Sequence, residues 1–532
     1  MKNAILLLFL ILNGFTFSNE IIMTKELDLL IAEDFSENDN IILIDKPMHF
    51  SNNLVIPEYL TLIFTENGKL LIEEDQTITI KGVVKAGKHQ IFHFSKGDAD
   101  WNDQKPNVIF TDQKVFKPEW WGMIPNQVPN NISQYGLSKQ MMLDIKASHG
   151  GSIKFSEGTY YFRDLIIDFS NIHMYGKGDK TILKFDEKNF MFKSTATPNG
   201  LNASTRQGAL IVIRGSHPTG NGNFKYNENN YEQIENIRVS NLKIEFTAAA
   251  AISDPTMNGL AIFNAKNVTI NNVTIDLHNA NRAFSIGTQQ DNEQTENIVI
   301  KNATVHNSRT GVFITYGFPD VVRKDFKTGK KISNILIKNN VFNTSNYDFD
   351  LLQDSQLPES VWKYVDLIAS GVYLKGNEYT KEVEKEGKLF YNELGNVNIE
   401  NNTFNNADIG IRSSIPYELE KQNTYVLSVT NNTFLDFKYF GVFGAFSNAT
   451  IKNNTFDSKL IMSPPQPSLK NTTTFFTNQN YCINIVNKIK NNTSLEKDNI
   501  QITENDIANF SGFDANIIDA EIINNNGAIA AL

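Results

Sequence analysis

The alternation of apolar and polar positions in the C-terminal half repeats as one phrase: a short β-type segment, Asn-Asn, then Thr or Val and an apolar residue. It occurs at 268–275, 337–342, 399–404, 429–434 and 451–456, with a degenerate copy at 300–305. Short strands that recur between polar corners are typical of a solenoid. Asparagine tolerates left-handed backbone and therefore suits a tight corner. The pattern predicts coils whose Asn side chains stack and hydrogen-bond along the axis.

A second phrase follows each corner and begins with a small residue. Its copies begin at Gly259, Ala283, Gly311, Gly371, Gly410 and Gly441. The first and third residues after the small one are mostly Leu, Ile, Val or Phe. Successive strand side chains point to opposite faces, so these two positions face inward and the second and fourth face outward. Two phrases in a common register predict an all-β fold, a parallel β-helix.

Three segments before the repeats resemble a known family. They are Lys-Pro-Glu-Trp-Trp-Gly at 117–122, Gly-Gly-Ser-Ile-Lys-Phe-Ser-Glu-Gly-Thr-Tyr at 150–160, and 171–183. Together they are similar to the start of the pectate-lyase superfamily of secreted, right-handed parallel β-helix proteins that act on carbohydrates. The resemblance implies right-handed coils from about residue 117 to the C-terminus. It implies little about the reaction, because one fold hosts many chemistries.

The chain divides into three predicted parts. Residues 1–18 hold one lysine, a short apolar run and small residues, which is typical of a signal peptide, and no cysteine follows for a lipid anchor. Residues 19–116 are strand-rich and predict an N-terminal β cap or extra short coils. Residues 117–532 form the β-helix, with a helix at 135–147 and insertions at 317–331, 342–367, 379–393 and 458–479. We expect a periplasmic or secreted protein without a membrane anchor.

Composition narrows the classes of partner. The 49 Lys and Arg against 59 Asp and Glu give a net charge of −10, which argues against nucleic acid. The single cysteine, Cys482, excludes an internal disulfide framework and a Cys-based zinc site. We expect a monomer with no cofactor and no bound metal, although carboxylates of the insertions leave a metal possible.

The outward positions of the second phrase contain aromatic and basic residues at the same place in successive coils. They are Phe313, Tyr373, Lys375, Arg412 and Phe443. Neighbouring coils lie about 4.8 Å apart, so these residues would form an exposed row. Aromatic faces suit sugar rings, and Arg or Lys suits a carboxylate or sulfate. The alternative is an ordinary sheet face with surface charges.

The turn before the same strand supplies further candidates. They are His278, His306, Asp366, Arg282 and Arg309. Counting back from the small residue stacks His278 on His306 and adds Asp366 in the next coil. Aligning on the Asn phrase instead places His306 against Asp276, so two registers remain open. Histidines that merely satisfy a polar turn are the structural alternative.

This set of residues suits elimination at a uronic acid. A cation against the carboxylate acidifies the hydrogen on C5, a base removes it, and an acid assists the departure of the C4 substituent. Arg412 would hold the carboxylate, and Lys375, its pKa lowered by that neighbouring cation, would be the base. Tyr373 or His306 would donate the proton. The substrate would be an acidic oligosaccharide or polysaccharide, and the product an unsaturated uronate.

Other functions stay open beside this interpretation. Hydrolysis needs two carboxyl groups, and the Asp-Asp and Gly-His-Gly motifs of polygalacturonase-like β-helices do not occur. Tailspikes, adhesins and other glycan-binding solenoids share the architecture without catalysis. Among eliminations, a sugar leaving group defines a polysaccharide lyase, and a free C4 hydroxyl defines a dehydratase. In fold and composition the chain is similar to the β-helix oligosaccharide dehydratases of marine bacterial ulvan degradation.

Overall fold

The computed structural model describes most of the repeats and leaves out several intervening segments. The described residues are 20–22, 40–50, 53–95, 105–127, 133–162, 165–185, 209–215, 232–253, 257–288, 294–315, 331–345, 368–375, 383–385, 388–390, 393–413, 426–444, 448–457, 481–486, 499–508, 514–516 and 520–523. The predicted signal peptide, most of the predicted insertions at 317–331, 342–367 and 458–479, and Asp366 lie outside them. The chain separates into two compact units, Met1–Pro125 with Gly136–Ser156, and Asn126–Tyr135 with Glu157–Leu532.

The first unit consists of short parallel strands in small sheets. One sheet holds Glu20–Ile22, Asn40–Ile44, Leu60–Phe64 and Val83–Lys85; a second holds Pro47–His49, Lys69–Ile72 and Phe92–Phe94; a third holds Leu54–Ile56, Ile78–Ile80 and Val108–Phe110; and Val115–Phe116 pairs with Gly151–Lys154. A 3-10 helix spans Pro118–Trp121, and an α-helix spans Ser133–Ala147, close to the predicted helix. Each chain turn contributes one strand to each sheet, so this unit is also built of coils.

A buried carboxylate joins the helix of the first unit to its strands. The indole Nε1 of Trp121 donates to Asp144 Oδ2 at 2.7 Å. Asp144 Oδ1 accepts from Gln140 Nε2 at 2.9 Å and from the backbone N–H groups of Asn107 and Val108 at 2.8 and 3.1 Å. Burial raises the pKa of Asp144 to about 7, against the lowering effect of these donors. The Trp-Trp motif thus has a structural role here.

The second unit has two large parallel sheets. The ten-stranded sheet holds Leu165–Ile167, Ala209–Arg214, Asn258–Phe263, Arg282–Gly287, Thr310–Thr315, Ser370–Lys375, Ile409–Ser413, Phe440–Gly444, Tyr481–Val486 and Asp514–Asn516. The corner sheet holds Gly158–Tyr161, Ile172–Phe185, Ile234–Phe246, Ala265–Asp276, Gln294–Lys301, Thr304–Ser308, Lys331–Lys338, Val341–Thr344, Glu393–Leu394, Val397–Glu400, Thr403–Asn405, Leu427–Thr430, Thr433–Leu435, Asn448–Lys452, Thr455–Asp457, Asn499–Thr503, Asp506–Ala508 and Ala520–Ile523. A short helix spans Ala248–Ser253, and Val383–Lys385 forms an antiparallel pair with Lys388–Phe390.

Strand pairing confirms the parallel β-helix. In the ten-stranded sheet, Val312 pairs with Val372 and Val372 with Ile411, so the second phrases align as predicted. These three side chains are fully buried, as the alternation requires. The first phrases also align, since Ile337 pairs with Ile399.

The two asparagines of an Asn-Asn corner have different structural roles. The copy at 271–272 differs, because its second residue, Asn272, is left-handed with φ of 55°. In the four copies between 339 and 454, the first asparagine has a left-handed backbone, with φ of 56° at Asn339 and 54° at Asn401. The second is buried, and its side chains form a ladder through Asn340, Asn402, Asn432, Asn454 and Asn505. In each step the backbone N–H and Nδ2 of one residue donate to Oδ1 of the next; for Asn340 and Asn402 both distances are 2.9 Å. The ladder begins where Ala303 N donates to Asn340 Oδ1 at 2.8 Å.

Phenylalanines stack inside the coils beside this ladder. The rings of Phe404 and Phe434 lie 4.9 Å apart and 13° from parallel, and Phe434 and Phe456 lie 4.7 Å apart. A Cβ added at Gly371 would overlap the Phe404 ring, and one at Gly410 would overlap Phe434. The small residue that begins the second phrase is therefore needed to make room for the aromatic interior.

Replacing Asn402 with alanine tests the ladder. The change leaves the buried N–H of Asn340 and the carbonyl of Ile337 without their partners. A buried unsatisfied polar group costs roughly 1–3 kcal/mol, so we expect Asn402→Ala to lower the free energy of unfolding by a few kcal/mol. Urea unfolding provides the measurement. The neighbouring exposed residue supplies the control, since Asn401→Gly keeps an allowed left-handed corner and should cost under about 1 kcal/mol. Equal losses would contradict the ladder's role.

The pKa of Asp144 predicts a pH dependence. Because this pKa is raised from 3.8 to about 7, the folded protein binds the proton more tightly than the unfolded chain. The stabilisation is therefore fully present below pH 3.8 and is lost as pH rises through about 7. Asp144→Asn should flatten the stability profile between pH 5 and 8, whereas Asp112→Asn, at an exposed site, should leave it unchanged. Parallel profiles for the wild type and Asp144→Asn would contradict this.

Candidate functional site

The ten-stranded sheet brings the predicted outward residues into one row. Phe313 pairs with Tyr373, Tyr373 with Arg412, and Arg412 with Phe443. Lys375 pairs with Thr315, two positions further along the face that carries Tyr373. The row is not the exposed surface that the alternation suggested, because Phe313 and Tyr373 are only 2% and 6% exposed. Arg412, Phe443 and Lys375 are half-buried and form its more accessible part.

Two arginines enclose two aromatic rings in a continuous line of contacts. The Arg412 guanidinium carbon lies 4.4 Å from the centre of the Tyr373 ring. Tyr373 meets Phe313 edge to face, with ring centres 5.3 Å apart and planes at 72°. The guanidinium carbon of Arg282 lies 3.4 Å from the Phe313 ring centre. We call these four side chains the cation–π column.

A buried carboxyl that sequence reasoning missed is close enough to Arg412 to be affected by its charge. Asp408 is 6% exposed, and its Oδ2 accepts from the backbone N–H of Ala369 at 2.8 Å. Lys438 Nζ lies 3.3 Å from Asp408 Oδ1. Burial raises the pKa of Asp408 and outweighs the opposing effects of Lys438, the Ala369 N–H and Arg412. The site thus holds a carboxyl that keeps its proton to higher pH than usual.

Tyr439 and two phenylalanines complete the surroundings of Asp408. Burial, together with the Asp408 charge, raises the pKa of the Tyr439 phenol to about 12, so it stays protonated at neutral pH. The rings of Phe440 and Phe443 stack at 4.8 Å. Tyr439 and Phe443 pack against a cluster that contains Phe440. The accessible end of the row is therefore an aromatic wall with cations and one carboxyl.

The missed residues occupy a turn position that the sequence does mark. Asp408 stands two residues before Gly410, as Arg309 stands two before Gly311, and Lys438 stands three before Gly441. Extending the alignment of the second phrase backward by three positions would have identified them. Arg309 itself is 1% exposed, and its Nε donates to the carbonyl of Asn279 at 2.9 Å, so it stabilises the turn.

The two histidines are not brought to this row. His306 pairs with Asp276 in the corner sheet, so the register that stacked His306 on His278 was wrong and the Asn-based alternative is confirmed. Asn343 Nδ2 lies 3.3 Å from His306 Nδ1, which places this histidine in a polar side-chain ladder. His278 is exposed at a left-handed corner with φ of 47°. His278 thus occupies a left-handed corner of the kind that asparagine occupies elsewhere in these coils, and this accounts for its position without a catalytic role.

The structure also bears on ions and membranes. Among the described residues, no group of three or more His, Cys, Asp or Glu side chains is arranged to hold a metal ion. Within the same part of the chain, no helix has the length and apolar character to cross a membrane.

Breaking the Asp408–Lys438 pair tests the electrostatics of the site. Lys438→Met removes the cation and leaves a buried carboxyl, for which a loss of roughly 3–5 kcal/mol is typical when it stays charged. We expect a large loss in the free energy of unfolding at pH 8 and a smaller one at pH 5, where Asp408 protonates more readily. Adding Asp408→Asn should restore most of the loss. The control is Lys452→Met, which removes an exposed ion pair with Glu504 and should cost under about 1 kcal/mol.

No protein-family model and no curated protein matches the sequence. Among solved structures, the chain is similar to the surface protein and adhesin PfbA of Streptococcus pneumoniae, with 16% identity, a TM-score of 0.43, and 77% of this chain and 89% of that chain covered. It is also similar to the A-module of the Azotobacter vinelandii mannuronan C-5 epimerase AlgE4, with 12% identity, a TM-score of 0.32, and coverage of 79% and 98%. A Yersinia enterocolitica family 28 exopolygalacturonase has 10% identity, a TM-score of 0.35, and coverage of 95% and 75%. The chain's own strand pairing identifies it as a parallel β-helix protein.

Proposed function

We propose that the protein is a carbohydrate-active enzyme that acts on an acidic glycan. The observation that carries this proposal is the half-buried Arg412, which stacks on Tyr373 and acts by its charge on the carboxyl of Asp408, whose pKa burial raises. A planar guanidinium recognises a carboxylate through two parallel hydrogen bonds. The half-buried ring of Phe443 beside it offers an apolar face for a sugar ring.

The reaction that we propose is elimination at a uronic acid residue. Arg412 binds the C6 carboxylate and stabilises the negative charge that develops when C5 loses its hydrogen. Lys375 is the proposed base that takes the C5 proton, and the C4–C5 double bond forms as the C4–O4 bond breaks. Asp408 gives its proton to the departing O4. A carboxyl with a raised pKa suits the role of general acid.

Asp408 replaces the proton donors that the sequence suggested. Tyr373 is enclosed by Phe313 and Arg412, which suits a packing role, and His306 lies in the other sheet. A polysaccharide lyase and an oligosaccharide dehydratase differ in the leaving group on C4, which is a sugar in the first and a free hydroxyl in the second. We also propose that the protein works as a periplasmic or secreted monomer, in keeping with the predicted signal peptide.

Hydrolysis is the alternative outcome, because Asp408 alone would suit a general acid in either reaction. Most glycoside hydrolases pair such an acid with a second carboxyl at about 5–10 Å. In the part of the site that the structure describes, Asp408 contacts Lys438 and the backbone N–H of Ala369, and its carboxyl interacts electrostatically with Arg412 and Tyr439. Elimination needs a cationic clamp, a base and an acid, and Arg412, Lys375 and Asp408 can fill these three roles, so we propose it ahead of hydrolysis.

The test is ultraviolet absorbance of the conjugated uronate during incubation with uronate polymers and their saturated oligosaccharides, with and without chelator. We expect a rising signal with the wild type. Arg412→Ala should lower kcat/KM by a factor of at least 100, and Asp408→Asn by a similar factor, since general acids contribute about 10²–10⁴. Arg238→Ala, which removes an exposed arginine of the corner sheet, should leave the rate unchanged.

The outcomes separate the candidate functions. New reducing ends without the absorbance signal would indicate hydrolysis. A signal from short saturated ends without chain cleavage would indicate a dehydratase. Binding without any product would indicate a glycan-binding solenoid. Full activity of Arg412→Ala would contradict the proposed clamp.

A further inference from the structure

We infer that Phe313 and Arg282 are positioning residues that set the orientation of Arg412 through the Tyr373 ring. This inference rests on the proposed function, in which Arg412 binds the substrate carboxylate. It assigns a part in substrate affinity to two side chains that are enclosed in the protein.

The cation–π column crosses four successive strands of the ten-stranded sheet. Arg282 comes from Arg282–Gly287, Phe313 from Thr310–Thr315, Tyr373 from Ser370–Lys375, and Arg412 from Ile409–Ser413. The backbone register places Phe313 beside Tyr373 and Tyr373 beside Arg412. Each side chain thus contacts the next one in the column, and the column follows the axis of the coils.

Exposure increases toward one end of the column. Arg282, Phe313 and Tyr373 are all buried, with at most 6% of each residue exposed, whereas Arg412 is half-buried. A glycan at the accessible end would therefore meet Arg412 and Phe443 and not Phe313 or Arg282. Any effect of these two on turnover must act through Tyr373.

The packing explains how that effect would arise. An arginine side chain loses rotamer entropy when it is fixed, so a preset orientation strengthens binding. The Tyr373 face fixes the Arg412 guanidinium, and the perpendicular contact with Phe313 fixes the tilt of the Tyr373 ring. Arg282 lies against the Phe313 ring at 3.4 Å from its centre and holds that ring in turn. Removing the Phe313 ring would release Tyr373 and then Arg412.

Phe263 offers a matched control on the same sheet face. It is 1% exposed and packs with Ala209 and Ala261 rather than with the column. Both Phe313→Leu and Phe263→Leu trim a buried ring in this sheet, so both should lower the stability of the fold by similar amounts. Only the first removes a contact that leads to Arg412.

The experiment compares steady-state kinetics of these variants on a saturated uronate oligosaccharide. We expect Phe313→Leu to raise KM about tenfold with kcat within threefold, Phe313→Tyr to restore KM, and Phe263→Leu to change KM less than twofold. In an Arg412→Ala background, Phe313→Leu should have no further effect on KM. Equal KM values for Phe313→Leu and Phe263→Leu, or effects that multiply with Arg412→Ala, would overturn the inference.

Inactivity of the wild type on every substrate would reject the proposed function and not this coupling. The column is then tested by urea unfolding in a double-mutant cycle of Phe313→Leu with Arg412→Met. We expect the two changes to be non-additive by at least fivefold in the unfolding equilibrium constant. The cycle of Phe263→Leu with Arg412→Met should be additive. Additivity in both cycles would overturn the inference.

Discussion

The buried asparagine ladder is the interaction on which the second unit depends. From Asn340 to Asn454, each Asn side chain accepts from the coil before it and donates to the coil after it, as well as to a strand carbonyl, for example from Asn402 Nδ2 to Ile337 O at 2.9 Å. A corner shifted by one residue would place a polar side chain among the Phe stack and move the inward residues outward. The ladder therefore holds the register of every coil that contains it.

Register in turn determines both the interior and the outer face. With the corners aligned, the Phe rings stack and require a small residue at the start of each following strand, as Gly371 and Gly410 show. The outward residues of successive coils are then in register as well, so Phe313, Tyr373 and Arg412 lie side by side in neighbouring strands. A site built on such strands is held more rigidly than one built on loops.

The outer face buries charges where a solenoid ordinarily meets water. Burying a cation is costly unless other groups replace its hydration, and here ring faces contact Arg282 and Arg412. Burying the charged carboxylate of Asp408 is also costly, and the raised pKa of this residue reflects that cost. Perturbed ionisable groups beside aromatic side chains are typical of functional sites, whereas the buried Asp144 of the first unit, tied down by four donors, serves the fold.

The sequence by itself determined the parallel β-helix, the corners and the row from Phe313 to Phe443, because alternation and left-handed corners are local properties that repeat. It also placed Tyr373 and Arg412 next to each other in that row. Only the tertiary structure decided three other features, because they depend on distances between coils. These are the burial of that row, the stacking of Arg282 on Phe313 and the raised pKa of Asp408. The position of His306 shows the same limit. The two alignments of the sequence differ by two residues, and only the observed strand pairing of His306 with Asp276 distinguishes them.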